Sequence, residues 1–249
     1  MHQLRAPGGC PWDAEQTHES IKPYLIEEAY EAVEAIESGS DAELCDELGD
    51  VLLQVVFHAE MASERGAFDA DDVARALCEK LVRRHPHVFA EITVESSAEV
   101  AANWATIKAA ERTAKTDAPT SVLQGVPRAL PSLLRAHRLG RKASSVGFDW
   151  PSSAGARAKI DEELAEVEDA IRNGDRDAVG RELGDLLFAV TSYARLLDHN
   201  AETVLRETLI RFEERFRALE EDLRRRGLDV AEVDPRELDA AWESSKARS

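Results

Sequence analysis

The stretch YLIEEAYEAVEAI, residues 24–36, places four glutamates in what otherwise has the pattern of a buried helix. Its apolar residues are spaced by four, three and four positions, which puts them on one helical face: Leu25, Ala29, Ala32 and Ile36. At about 100° per residue, Glu28 falls beside this face rather than opposite it, and Glu31 lies on the adjoining edge. A solvated back face of the helix therefore accounts poorly for these two glutamates.

A second acidic motif follows on the next predicted helix. In the sequence ELGD, Glu47 and Asp50 lie three positions apart and so share one side of a helix. Between the two motifs, Gly39 is the residue type that ends helices in the left-handed conformation. Ser40 is then an N-cap, and Glu43 completes a capping box. The two helices are therefore predicted to form an antiparallel hairpin on which the carboxylates converge.

The acidic hairpin recurs 135 positions further along the chain, so that E-E-x-x-E…E-x-x-D is repeated without a gap. The first set is Glu27, Glu28, Glu31, Glu47 and Asp50, and the second is Glu162, Glu163, Glu166, Glu182 and Asp185. Gly49 and Gly184 also correspond. A glycine inside a helix costs about 1 kcal/mol relative to alanine, so we expect a close helix–helix approach beside each motif. The chain is predicted to be a tandem duplication.

Carboxylates that converge in this way repel one another. Two like charges about 4 Å apart cost on the order of 4 kcal/mol at an effective dielectric constant of about 20. Such a cluster therefore requires proton uptake or a divalent cation. Because the ligand atoms would all be oxygens, without His or Cys, the pattern favours Mg²⁺, with Mn²⁺ as a substitute.

Each half also carries cations and a tryptophan on its later helices. They are Lys80, Arg84, Trp104 and Lys108 in the first half, and Arg211, Arg215, Trp242 and Lys246 in the second. Magnesium bridges phosphate oxygens, basic side chains neutralise the remaining charge, and an indole stacks on a base. A nucleoside polyphosphate satisfies all three requirements. The tryptophans can equally be core residues, and cation pairs are common on exposed helix faces.

The composition excludes several classes of protein. A formal charge of −18 over 249 residues argues against binding to nucleic acid polymers or anionic membranes. No apolar run approaches the roughly 18 residues of a membrane-spanning helix. The three cysteines, Cys10, Cys45 and Cys78, have no metal-ligand spacing and fit a reducing cytoplasm. Cys45 lies within a helical pattern and is expected in the core.

Caps and breakers predict the organisation of an all-α chain. An N-terminal repeat occupies residues 1–115, a linker rich in proline 116–131, and a C-terminal repeat 132–249. Within the first repeat, helices are expected over about 20–37, 40–64, 69–83 and 96–115, the third ended by HPHVF. In the second repeat, DPRE starts the last helix, with Asp234 at the cap and Pro235 at the first helical position.

With these motifs, the chain resembles the MazG-type nucleoside triphosphate pyrophosphohydrolases in their two-repeat form. The similar stretches span essentially the whole chain: GGCPWDAEQT, YLIEEAYEAVEAI, ELGDVLLQVVFHAEM, KLVRRHPHVF, VGFDW, ELGDLLFAV and the closing W…K. The resemblance implies two MazG-like helical repeats of the four-helix-bundle type, completed by dimerisation. It also implies Mg²⁺-dependent cleavage of a nucleoside triphosphate to the monophosphate and pyrophosphate, in nucleotide-pool housecleaning.

The resemblance implies roles for the residues named above. Both carboxylate sets would bind metal, and the cations and tryptophans would bind substrate, together with Lys142. Arg211 stands where the family often has lysine, which is not equivalent at a phosphate. The reaction would be an in-line attack of a water, activated by the metal, on phosphorus, with one glutamate accepting the proton. Which glutamate does so is left open by the sequence.

The two repeats differ before the acidic hairpin. A helix predicted over about 133–142 precedes GFDW, whereas its counterpart before CPWD would begin at or before residue 1. That counterpart is therefore largely missing, so either the start of the chain is truncated or the first repeat lacks part of its pocket. On this ground we expect the C-terminal carboxylates Glu162, Glu163, Glu166, Glu182 and Asp185 to be the main catalytic set.

Two other functions are weighed against this one. A ferritin-like di-iron protein needs two E-x-x-H pairs inside the bundle, but the spacing found here, Glu15 to His18, lies outside the repeat. A non-catalytic nucleotide-binding regulator is compatible with the same motifs. Pyrophosphate release from nucleoside triphosphates with Mg²⁺ distinguishes it from an enzyme. The preferred base, and the choice between damaged, ordinary and alarmone nucleotides, stay open.

Overall fold

Every regular element in the described part of the chain is an α-helix, which confirms the predicted fold class. The computed structural model describes residues 1–90, 94, 96, 99–100, 103–104, 106–107, 111 and 121–246. It divides into two compact units, Met1–Asp117 and Ala118–Ser249, hereafter unit 1 and unit 2. No helix among the described residues combines the length and the apolar character that crossing a bilayer requires.

Unit 1 is built around one long helical hairpin. Its helices are α1 (His2–Arg5), α2 (Pro11–Glu15), α3 (His18–Ser38), α4 (Asp41–Ser63), α5 (Ala70–Arg84) and α6 (Pro86–Phe89). Helix α3 starts two residues before the predicted position because Thr17 and Ser20 form a capping box. Gly39 ends it with φ 73°, as predicted, and α4 packs back along α3.

The cap of α4 differs in part from the prediction. Ser40 Oγ accepts the backbone N–H of Glu43 at 3.3 Å, as expected for an N-cap. The reciprocal bond comes from another residue, since the backbone N–H of Ser40 donates to Ser38 Oγ at 3.3 Å. That hydroxyl in turn donates to the Glu43 carboxylate at 3.0 Å. The preceding serine therefore replaces the second half of the predicted capping box.

The apolar face predicted for α3 forms the core of unit 1 only in part, since Ala32 is buried but the larger side chains of that face are not. Leu25 is 36% exposed and Ile36 is 60% exposed, whereas Ile21 and Ala35 are buried. Glu28 stands seven positions from each of these two buried residues, so it shares their side of the helix and is half-buried. The hairpin thus covers the side of α3 that carries Glu28 and leaves a broad apolar surface of the helix uncovered.

Unit 2 repeats the hairpin and adds helices around it. Its helices are α7 (Ser132–Ser144), α8 (Ser153–Arg172), α9 (Arg176–Leu196), α10 (Ala201–Arg225) and α11 (Pro235–Lys246). A shift of 135 positions carries α3 onto 153–173 and α4 onto 176–198, almost the bounds of α8 and α9. The predicted cap at Asp234 forms, with its carboxylate accepting the N–H of Arg236 at 2.9 Å. The predicted internal repeat is confirmed at the level of the backbone.

Helix α11 closes one end of unit 2. Leu219 and Leu223 of α10 and Ala241 of α11 form a buried apolar cluster, against which Trp242 packs. Helix α7 contacts α9 and α10 on another side. Within the predicted linker, residues 121–131 contain turns, and Gly125 has φ 84°. The remaining linker residues, 116–120, lie outside the described part.

Two smaller expectations are wrong. Cys45 is exposed rather than in the core, because the uncovered side of α4 points away from α3. The close approach expected at Gly49 and Gly184 is also absent, since no described atom outside the local helix lies within 4 Å of a Cβ built at either glycine. The helical glycines therefore leave open space beside the acidic motifs.

Candidate metal centres

Unit 1 brings three of its predicted ligands together. Glu28 of α3 and Glu47 and Asp50 of α4 each offer a carboxylate oxygen, and these oxygens lie within 4.8 Å of one another. Partial burial raises the pKa of Glu28, and the negative charges of Asp50 and Glu31 raise it further. The pKa of Glu47 is raised by desolvation and by the charge of Glu31. The hairpin therefore concentrates negative charge that a cation would relieve.

Unit 2 forms the equivalent cluster from Glu163, Glu166 and Glu182, again with oxygens within 4.8 Å of one another. Glu163 is only 4% exposed, and its Oε2 atom is buried without a hydrogen-bond partner among the described residues. Desolvation and the charge of Glu163 raise the pKa of Glu166. A buried carboxylate oxygen without a hydrogen-bond partner destabilises the folded protein unless a cation binds to it.

Both clusters fit a hard divalent cation. Mg²⁺ binds oxygen ligands at about 2.1 Å in octahedral geometry, so adjacent and opposite ligand atoms lie about 3 and 4 Å apart. The oxygens in each cluster come within 4.8 Å, and the donor set contains no nitrogen or sulfur. The orphaned Glu163 Oε2 supplies an oxygen that the protein itself leaves unbonded. The predicted metal centres are therefore supported, while the identity of the ion is not defined by the geometry.

Lys159 is a site residue that sequence reasoning missed. Its ammonium lies 2.6 Å from Glu163 Oε1 and 2.8 Å from Glu162 Oε1, and both carboxylates raise its pKa. The corresponding residue of unit 1, 135 positions earlier, is Tyr24. The i, i+4 spacing from Lys159 to Glu163 was a readable signal. Because the signal occurs in one repeat only, the internal repeat does not point to it.

The other predicted ligands lie beside the clusters. Glu31 is close enough to raise the pKa values of both Glu28 and Glu47. Glu162 pairs with Lys159, and Glu27 and Asp185 are exposed on the same helices. Their assignment as metal ligands stays a prediction.

Several of the predicted substrate-binding cations have protein partners among the described residues. Arg84 donates to Glu111 at 2.6 Å, and Arg211 donates to Thr208 Oγ1 at 2.8 Å. Lys142 donates to the carbonyl oxygens of Val122 and Gln124, at 3.2 and 2.8 Å. Lys80 is exposed and Arg215 is half-buried, whereas Lys108 lies outside the described residues.

Trp104 and Trp242 are both half-buried, which agrees with the alternative that they belong in part to the core. The Trp104 ring meets His85 edge-on at 5.2 Å between ring centroids. Trp242 lies 5.3 Å from Phe212, and the ammonium of Lys246 stands 5.9 Å from the Trp242 ring. Each tryptophan therefore keeps an accessible part, which is the condition for stacking on a ligand.

Fold and site together define a duplicated helical-hairpin protein with one candidate metal centre in each unit. A family model described as the MazG nucleotide pyrophosphohydrolase domain matches this chain twice, at residues 16–89 and 152–219. The nucleoside triphosphate pyrophosphohydrolase/pyrophosphatase MazG of Thermotoga maritima is 46% identical over 246 residues, covering 99% of this chain and 92% of that protein. The nucleoside triphosphate pyrophosphohydrolase of Escherichia coli K12 is 44% identical over 249 residues, covering 99% and 94%.

The chain therefore belongs to the MazG nucleotide pyrophosphohydrolase family, as its motifs predict. The predicted class of enzyme, a hydrolase, is confirmed at the level of the family.

Proposed function

We propose that this protein is a nucleoside triphosphate pyrophosphohydrolase that uses Mg²⁺, or Mn²⁺ in its place, to produce a nucleoside monophosphate and pyrophosphate. The observation that carries the proposal is the cluster of Glu163, Glu166 and Glu182, with a buried unpartnered oxygen and with Lys159 beside it. The names of the two relatives support the reaction. We place the main active site in unit 2, where that oxygen is found.

The residues of unit 2 have distinct tasks in this proposal. Glu163, Glu166, Glu182 and Asp185 would hold the cation, which when bound neutralises phosphate charge and favours attack by water. Lys159 is tied to two carboxylates in this structure. Once a bound cation pairs with those carboxylates, the flexible side chain of Lys159 can move its ammonium to a phosphate oxygen. A carboxylate oxygen of the cluster accepts the proton of the attacking water.

The cations outside the cluster complete the substrate site. Arg211, Arg215, Lys142 and Lys246 would bind phosphate, and Trp242 would stack on the base. In unit 1, Lys80, Arg84 and Lys108 would bind phosphate, and Trp104 holds the position that corresponds to Trp242. The contact from Arg211 to Thr208 is exposed, so exchanging it for a phosphate contact costs little. The protein's charge of −18 opposes nucleic acid polymers, and we propose free nucleotides of the cytoplasm as the substrates.

We also propose that the protein is a homodimer. Large apolar side chains on the hairpin of each unit are uncovered, including Leu48 and Leu52 in unit 1 and Leu183 and Leu187 in unit 2. Apolar patches of this kind mark association surfaces in water-soluble proteins. Two helices per hairpin make half of a four-helix bundle, and a second copy supplies the other half. The open space beside Gly49 and Gly184 lies on these same uncovered helices.

The reaction is tested by pyrophosphate release from a panel of nucleoside triphosphates, with and without Mg²⁺. Wild-type protein should release pyrophosphate in a metal-dependent way, and Glu163→Gln should not. Glu168→Gln is the matched control, because Glu168 is an exposed glutamate on the same helix outside the cluster. Release of inorganic phosphate alone, or no release from any nucleotide, would contradict the proposal.

A further inference from the structure

Unit 1 contains a cavity of about 270 Å³ that opens against its metal cluster. Glu28 belongs to both, since it lines the cavity and also contributes an oxygen to the cluster with Glu47 and Asp50. The volume is close to the lower end of the range of about 300–1,000 Å³ that is typical of small-molecule sites. A ligand in this cavity would therefore reach the metal centre directly.

Aromatic and aliphatic side chains form most of the cavity wall. Trp12, Tyr24 and Phe57 line it, together with Ile21 and Leu53. The rings of Trp12 and Tyr24 stand 6.4 Å apart between centroids, at an interplanar angle of 58°. Both rings are exposed enough to accept a further partner. Such walls suit a flat apolar ring system, which can stack on one aromatic face and meet the edge of another.

One polar side chain interrupts this wall. Gln54 lines the cavity, is 6% exposed, and has a buried Oε1 atom without a hydrogen-bond partner among the described residues. At the corresponding position of unit 2 the residue is Ala189, which is 2% exposed. The packing of the hairpin therefore does not require an amide here. A buried acceptor without a donor destabilises the free protein, and a ligand with an N–H group would remove that cost.

We propose that this cavity binds the base of a nucleoside polyphosphate and that Gln54 determines which base is preferred. The phosphate chain would be held through a divalent cation at Glu28, Glu47 and Asp50. Gln54 Oε1 accepts a hydrogen bond from a ring or exocyclic N–H of the base, while the aromatic wall covers its faces. The inference rests on the proposed function for the nature of the ligand. It assigns a base-binding cavity and a specificity residue to unit 1, the unit to which we do not assign the main reaction.

The chemistry of the wall argues against a purely apolar occupant. A hydrocarbon would leave Gln54 unpaired and would lie against the carboxylates of Asp13 and Glu28, which also line the cavity. Inorganic polyphosphate would satisfy the metal centre but would leave the aromatic wall uncovered. A planar heterocycle joined to a phosphate chain meets both requirements.

The test is calorimetric binding of non-hydrolysable analogues of the four common nucleoside triphosphates to the full chain with Mg²⁺. Tripolyphosphate serves as the probe without a base. Gln54→Leu keeps the size of the side chain and removes the acceptor. We expect it to weaken unit 1 binding of the preferred analogue roughly 5- to 10-fold, the loss of about one hydrogen bond. Its affinity for tripolyphosphate should not change, and its melting temperature should be equal or higher.

A second variant protects the test against a folding defect. Gln54→Ala places in unit 1 the residue that unit 2 has at the same position, and it should show the same selective loss. The inference is overturned if both variants bind every analogue as tightly as the wild type. It is also overturned if they change only the dimerisation constant, which would show that a second copy fills the cavity.

The binding measurement is independent of the reaction. Pyrophosphate release by the wild type, and its loss in Glu163→Gln, tests the proposed function in unit 2. Because the analogues are not hydrolysed, a Gln54-dependent site can be found even if no nucleotide is cleaved. Conversely, catalysis without a Gln54-dependent site would leave the proposed function standing and the inference refuted.

Discussion

Replacing Leu187 with alanine should weaken self-association while leaving the fold of unit 2 intact. Leu187 lies on the uncovered side of α9 and is 57% exposed. The change removes three carbon groups, each worth about 0.8 kcal/mol when buried. Only the 57% of Leu187 that is exposed in the single chain can be buried by a second copy, so the loss of association free energy is about 1.4 kcal/mol per copy. A symmetric dimer buries the residue twice, so the total is about 3 kcal/mol, or roughly a 100-fold higher dissociation constant.

Sedimentation equilibrium over a range of protein concentrations measures this constant, and thermal unfolding at low concentration measures the fold. The matched control is Leu223→Ala, because Leu223 is 1% exposed within the core of unit 2. That variant should lose about 2–5 kcal/mol of folding stability, as is typical of buried leucines. The reasoning is refuted if Leu187→Ala sediments like the wild type, or if it unfolds as readily as Leu223→Ala.

Three further results are expected. Glu163→Gln should lower pyrophosphate release at least 100-fold, the scale typical of losing one essential electrostatic group; Glu28→Gln should cost less, and equal losses would contradict the assignment of the main site to unit 2. Mg²⁺ should raise the melting temperature of the wild type because the folded clusters bind it and the unfolded chain does not; Glu163→Gln should show a smaller rise. Arg84 and Arg83 lower the pKa of Glu111 to about 2. The contribution of this carboxylate to folding stability is therefore present above its unfolded-state pKa and is lost as the pH falls through about 2. The free energy of unfolding in urea should differ between Glu111→Gln and the wild type at pH 7, and the two values should converge in strong acid.

The helices and their hairpins could be predicted from local signals. Gly39 and Asp69 each act through the residues next to them, and the structure places helix ends at both. The duplication could be read because the same spacing recurs over the whole hairpin. Local chemistry and repetition therefore determined most of the fold.

The wrong expectation about which side of α3 is buried has a different physical cause. Periodicity shows that apolar residues share a side of a helix, but it does not show what covers that side. The apolar pattern favours Leu25 and Ile36 as core residues, whereas the hairpin buries the side with Ile21 and Glu28. The same reasoning misplaced Cys45. A surface that another copy could cover looks, in one sequence, like a core.

The site was predicted in part for a related reason. Glu28, Glu47 and Asp50 could be found because carboxylates at helical spacing are conspicuous in two places. Lys159 and Gln54 are harder to find, because each occurs in one repeat only, and the corresponding residues of the other repeat are Tyr24 and Ala189. Lys159 contacts Glu162 and Glu163 on its own helix, at a spacing that the sequence shows, whereas the burial of Gln54 depends on packing across the hairpin, which the sequence does not show.

Lys159 in unit 2 corresponds to Tyr24 in unit 1, so the two candidate metal centres differ in their local charge. One cluster already holds an internal ammonium that an incoming ion must displace or share. The other has Tyr24 at that position instead of a lysine, so no ammonium from there competes with an ion, and we expect its carboxylates to bind the ion at a lower concentration. Magnesium added gradually to the intact protein should therefore register as two separate saturation steps, with unit 1 filled first.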